Sequence, residues 1–284
     1  MLRWSQAAID LADGDPVKGN FNIGSPLAVA TASRGIARYQ LGRSGWRADM
    51  WDGLAMARRI GEPMCHATVV AWVYNLGIPC GVVTADDAAM REIADALQNA
   101  ERSGDDLATT VNRMTLGNAL VHRETDAERA HGQQLLAEVS DVFIRKGHNL
   151  GELPFVNAYS AREKARRGDI DDAIPLMRSA ADHLFRDGTL LMWNVPVTGV
   201  LVETLLDRGE ANDVTEAEAA INRLAATPGD DGLAVRDSWL LRLRALLARA
   251  RGETAAYKDF RQRYRDTAKT LGFEGHIAWA ETMP

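Results

Sequence analysis

The sequence predicts an all-α protein assembled from antiparallel helix hairpins, and three observations carry that prediction. Apolar-periodic segments end at Gly42, Gly61, Gly81, Gly104, Gly147, Gly168, Gly188, Gly209, Gly252 and Gly272, with further breaks near Arg123 and at Pro228-Gly229. The intervals are roughly 20 residues, one helix of three to four turns plus a short loop. Basic residues stand in the turns before these stops, at Arg59, Arg102, Lys146, Arg167, Arg208 and Arg251, where they face the negative end of a helix dipole. Between the stops, apolar residues recur with helical rather than alternating period.

The elements follow in order. Gly14-Asp15-Pro16-Val17-Lys18-Gly19 reads as a surface loop between two helices, since it lacks the Gly-Lys-Ser/Thr ending of a phosphate loop. Ser25 precedes Pro26 and is placed to cap a helix that starts there. Pro63 follows the Gly61 stop and suits the first turn of the next helix. Cys80-Gly81-Val82-Val83 is too short to claim as a strand. Thr125-Asp126-Ala127-Glu128 has capping-box spacing, and Thr84-Ala85-Asp86-Asp87 is a weaker version of it. A helix is expected to begin near Asp169, with Ile170, Ala173, Ile174, Met177, Ala181 and Leu184 on its apolar stripe and Asp171, Arg178, Asp182 and Arg186 outside it. Pro175 lies inside that helix and predicts a local kink. Trp239, Leu240, Leu243, Leu246, Leu247 and Ala250 form a second stripe.

Composition agrees and excludes several functions. The 284 residues are 46% hydrophobic but only 6% aromatic, and Ala and Leu, good helix formers, dominate the apolar set. A formal net charge of -6 argues against broad phosphate-backbone binding. Cys65 and Cys80 are too few for a disulfide framework and fit no common metal spacing. The six histidines, at 66, 122, 131, 148, 183 and 276, never stand at the i, i+4 spacing of a helical metal site. His122 and His131 straddle an expected loop and would meet only across it. Gly24-Ser25-Pro26 lacks the context of a nucleophile elbow, and Arg167-Gly168-Asp169 is an ordinary hairpin turn. The N-terminus carries no signal-peptide pattern, and no apolar run reaches the roughly 18 residues of a membrane span. A cytoplasmic protein with no catalytic residue, no metal and no cofactor is expected.

Pairing the helices gives a repeat of roughly 40 residues, and the turns echo one another: Ala165-Arg166-Arg167-Gly168-Asp169, Leu206-Asp207-Arg208-Gly209-Glu210 and Ala248-Arg249-Ala250-Arg251-Gly252-Glu253. The pattern resembles the tetratricopeptide repeat, with a longer period and without its full aromatic signature. The resemblance implies a right-handed superhelical solenoid of roughly six hairpins over residues 25–272. Residues 1–24 are then a helix and loop leading from an upstream domain, and 273–284 a C-terminal tail. Trp72, Tyr74, Asn75, Asn157, Tyr159, Trp193 and Asn194 fall on the first helices of successive hairpins. That register makes them candidates for a concave binding face offering aromatic anchors and amide hydrogen bonds to a peptide or small effector. They also suit the core between repeats.

Longer stretches carry a more specific resemblance. They are Gly24–Ala30, Ala100–Asp106, Gly199–Leu206, Arg236–Ala250 and the ending Leu271-Gly272-Phe273-Glu274-Gly275-His276. Together these resemble the C-terminal helical region of actinobacterial, especially mycobacterial, signalling proteins. Those proteins join a class III adenylate/guanylate cyclase domain to a STAND-type ATPase and then to tetratricopeptide-like repeats. The resemblance implies a regulatory or protein-interaction region acting in cis on upstream cyclase and ATPase domains, whose catalytic motifs have no counterpart here. Effector binding in a LuxR-type ATP-dependent transcription regulator is the alternative, although the sequence to Pro284 holds no helix-turn-helix. A free-standing helical enzyme, which would need a deep polar pocket with perturbed titratable groups, is a third.

Overall fold

The computed structural model describes residues 1–20, 24–147, 150–187, 191–228 and 232–283. Among them there is no strand, and fourteen α-helices follow one another. These are α1 (Leu2–Ala12), α2 (Pro26–Gln40), α3 (Trp46–Ile60), α4 (Pro63–Val70), α5 (Asp87–Ser103), α6 (Asp106–Leu120) and α7 (Asp126–Lys146). Then come α8 (Leu153–Arg166), α9 (Ile170–Asp187), α10 (Leu191–Arg208), α11 (Asp213–Ala225), α12 (Ala234–Ala250), α13 (Thr254–Leu271) and α14 (Glu274–Thr282). A π-helical turn, Ala71–Asn75, continues α4.

The glycine stops are real. Every expected one among the described residues has a positive φ, and Gly61, Gly104 and Gly272 cap α3, α5 and α13 in the left-handed conformation, which only glycine adopts without a steric penalty. Gly188 and Gly229 lie outside the described residues. Ser25 caps α2 by accepting from the Ala28 N–H at 3.2 Å, and Thr125 accepts from the Glu128 N–H at 3.2 Å. At the weaker box the cap is Asp86, which accepts from the Ala89 N–H at 2.8 Å.

The chain forms two compact units, Met1–Pro79 with Val83–Val139, and Cys80–Val82 with Ser140–Pro284. In the first unit α1 lies against α2, α2 against α3 and α4, and α4 against α5 and α6. Small residues let α2 and α3 approach closely: a Cβ on Gly53 would stand 2.9 Å from the Ala32 Cβ. The buried Asp49 carboxylate takes Arg34 at 2.9 and 2.7 Å and Arg38 at 2.7 Å, so the charge is paired as burial demands.

In the second unit α8 packs on α9 and α10, α10 on α11 and α12, and α12 on α13. Residues 273–283 include α14. Phe273 and His276 are fully buried, and α14 packs on α13. Its first N–H groups, unpaired in any helix, donate to the segment 80–82: Glu274 to the Val82 carbonyl at 3.0 Å and His276 to the Gly81 carbonyl at 2.9 Å. The expected stripe of α9 is buried at Ala173, Ile174, Met177, Ala181 and Leu184. On α12, Ala250 is exposed instead, since the helix ends there.

Candidate functional site

The sequence-predicted face residues lie on the π-helical turn after α4, on α8 and on α10, and most of them are buried. Tyr74, Asn75, Tyr159, Trp193 and Asn194 are buried, Trp72 is half-buried and Asn157 is exposed. In the first unit the π-helical turn holds Trp72, Tyr74 and Asn75. There Asn118 donates to both the backbone and side-chain oxygens of Asn75, at 3.1 and 2.8 Å. In the second unit Phe155 stacks between Tyr159 and Trp193, with ring centroids 4.7 and 4.2 Å apart. These contacts are interior ones.

A largely buried polar cluster belongs to the second unit. Arg242 on α12 donates to Glu203 on α10 at 2.8 Å and lies over the Trp279 ring. Tyr264 on α13 meets His276 Nδ1 at 2.8 Å and also engages Arg242. Burial pushes His276 down to about 3, the Arg242 charge adds to this, and the Cys80 backbone opposes it. The imidazole is therefore neutral, and its Nδ1 shares a hydrogen bond with the Tyr264 hydroxyl. Burial likewise raises the Tyr264 hydroxyl. On α8, burial lowers Arg162 to about 10, and its guanidinium lies over the Tyr159 ring at 4.5 Å. Near the start of α8, burial raises Glu152 to about 7. Chemically, the chain Glu203–Arg242–Tyr264–His276 fastens α10, α12, α13 and α14 to one another.

In the first unit Glu92 is a comparable fastener, meeting His66 at 3.3 Å and pairing with Arg58. Burial lowers His66, and Arg58 reinforces this. His122 binds the Asn118 carbonyl at 2.7 Å; His148 lies outside the described residues. Among the described residues no group of three or more His, Cys, Asp or Glu is placed to hold a metal ion.

A solvent-open slot on the second unit escaped the sequence reading. It runs between α9 and α11 over α10, with a cavity volume of ≈230 Å³. Ala181, Leu201 and Ala220 form its apolar lining. Arg178 bridges it to Glu216 through two hydrogen bonds of 2.5 and 2.6 Å. Further along, Arg223 bridges back to Asp182 and covers the Phe185 ring at 4.0 Å. Thr198, 1% exposed, lines it from α10. The sequence shows Arg178 and Asp182 only as residues off the apolar stripe, and nothing local marks the partners 38 and 41 residues away.

No family model matches the chain. A search of curated proteins likewise finds no match.

Proposed function

We propose that the chain is a tetratricopeptide-like repeat module that binds a partner or effector and performs no chemistry of its own. One observation carries the reading: equivalent helices of successive hairpins are tied side chain to side chain at a recurring separation. Arg58 reaches Glu92 over 34 residues, Asn118 reaches Asn75 over 43, Arg178 reaches Glu216 over 38 and Arg242 reaches Glu203 over 39. A roughly 40-residue unit that docks on its neighbours in one register is the physical basis of a solenoid. Taking α2, α4 with its π-turn, α6, α8, α10 and α12 as first helices gives six hairpins, with α1 and α14 at the ends. The lowered His66 and His276 and the raised Tyr264 owe their shifts first to burial beside these ties. A binding role needs surface grooves and exposed anchors, and the slot on the second unit supplies one. No helix of the described residues is long and apolar enough to cross a membrane.

The resemblance to cyclase–STAND ATPase proteins supplies the context we propose: a regulatory region whose occupied state releases or restrains upstream domains in cis. An immunoblot of the source organism with an antibody to this region tests it. A band several times heavier than 31.0 kDa is expected. Deletion of the region from that longer protein should then alter nucleotide turnover or its response to effector. A band at the chain's own mass, or turnover indifferent to the deletion, overturns the regulatory reading.

A further inference from the structure

We propose that the slot between α9 and α11 is a binding site for a small monocarboxylate with an apolar body and one internal hydrogen-bond acceptor. The inference deepens the effector-binding reading and starts from Thr198. Buried threonines in helices usually return their hydroxyl proton to the carbonyl four residues back. Thr31, Thr115 and Thr204 do this, at 2.8, 3.0 and 2.8 Å. Thr198 does not: among the described residues its Oγ has no hydrogen-bond partner, although the residue is 1% exposed. An unpaired buried hydroxyl is costly, and this one lines the slot. It offers a proton to whatever enters.

The charges set the sign of the ligand. At one end Arg178 and Glu216 neutralise each other through two parallel hydrogen bonds. At the other end a second, adjoining cavity is lined by Ser179, Asp182, Arg186 and Arg223. There Asp182 faces two guanidiniums. Only Nη1 of Arg223 engages it. Arg186 bonds the Asp182 backbone carbonyl at 3.4 Å and, among the described residues, no carboxylate. Among the described residues lining the two cavities one positive charge is left over, on a guanidinium whose fork suits a carboxylate.

The walls set the body. Phe185, Leu201 and the alanines of α9 and α11 are apolar, and ≈230 Å³ is smaller than the pockets that take drug-sized ligands. A carboxylate at Arg186 and Arg223, a branched aliphatic group against Phe185 and Leu201, and a carbonyl accepting from Thr198 satisfy every group in the slot together.

N-acetyl-L-leucine has these three parts and serves as the probe, titrated into the 15N-labelled full chain. The expected result is saturable shifts confined to amides of α9, α10 and α11, with Kd on the order of 1 mM, as the atom count of so small a ligand dictates. N-acetyl-L-leucinamide, which lacks the carboxylate, should bind at least about tenfold more weakly, and acetate should not saturate. Arg186→Gln, at an exposed side chain that ties no second helix, should weaken binding about fivefold or more without lowering Tm. Thr198→Val should weaken it by a similar factor while the free protein melts no lower, because the orphan hydroxyl is gone. Absence of saturation, equal binding of the amide, or variants that bind like the parent would each overturn the site. None of those results bears on the immunoblot or the deletion, so the regulatory reading stands or falls separately.

Discussion

Gly199 lies in the middle of α10, where helix propensity alone says that alanine is better by about 1 kcal/mol. The structure predicts the opposite sign. A Cβ at this position would stand 2.2 Å from Cζ3 of Trp239 and 2.7 Å from its Cε3 and Cη2. Such distances require something to move. The indole cannot swing away, because Trp239 is 3% exposed and lies edge-on to both His276 and Trp279, at centroid distances of 5.7 and 5.2 Å. Overpacking a core typically costs about 1–3 kcal/mol, and a clash with a rigid ring belongs at the upper end of that range. Offset by the propensity gain, Gly199→Ala should destabilise by about 2 kcal/mol.

The assay is urea unfolding followed by tryptophan fluorescence and near-UV circular dichroism, with separate transitions fitted for the two units if they separate. A double-mutant cycle makes the attribution specific. Trp239→Leu alone creates a cavity, and the added methyl of Gly199→Ala should then fit, so the coupling between the two sites should exceed about 1.5 kcal/mol. An alanine variant as stable as the parent, or additive effects of the pair, would refute the argument that α10 and α12 meet through this glycine.

His276 titrates at about 3 when folded and near 6.5 when unfolded. Its lowered value makes stability complete above 6.5 and lost as pH falls toward 3, by about 2 kcal/mol at pH 5; urea midpoints of His276→Gln should show a correspondingly weaker loss between about pH 7.5 and pH 5. Glu152 runs the other way: raised to about 7 by burial, it favours folding at low pH and opposes it above 7. Glu152→Gln should therefore raise the unfolding free energy from urea titrations by about 3 kcal/mol at about pH 7.5 and leave it unchanged near pH 4, equal gains at both values counting against the assignment. Arg208 holds the 1%-exposed Asp213 through two hydrogen bonds, at 3.0 and 2.8 Å, and Asp171 through a third. Arg208→Ala should lower Tm, because it takes the charge partner from the Asp213 carboxylate.

Much of the helical framework is legible in the sequence because its boundaries are local. A glycine that must take a positive φ announces itself by what precedes it, as at Arg59 before Gly61 or Arg102 before Gly104. Packing glycines do not. Gly199 and Gly53 sit inside helices with no turn chemistry beside them, and their reason is a side chain on another helix. The short segment 80–82 was equally opaque, since its partners are backbone N–H groups almost two hundred positions later, at 274 and 276. For the candidate face, exposure is not readable from the sequence: Asn157 is exposed while Tyr159, two residues on, is buried. Aromatics on a first helix meet both the neighbouring hairpin and the outside, and hydrophobicity does not choose between them. Thr198 had no local signal at all, because an unmade hydrogen bond cannot be read from a sequence.

The slot follows from an asymmetry in how the second unit is tied together. Its α10 packs directly on α8, α9, α11 and α12, through residues such as Val197, Leu201 and Leu205 that burial from water stabilises by roughly 2 kcal/mol each. Between α9 and α11 the ties are long arginine side chains, Arg178 and Arg223. Both are part-exposed, and so are their acidic partners. Exposed ion pairs contribute at most about 1 kcal/mol, so they fix the register of the two helices without sealing the space between them. Rearranging one such pair around a ligand carboxylate costs little, whereas opening the contacts of α10 would unfold the unit. A binding site is therefore expected where two helices are bridged by charges, over a floor that is packed.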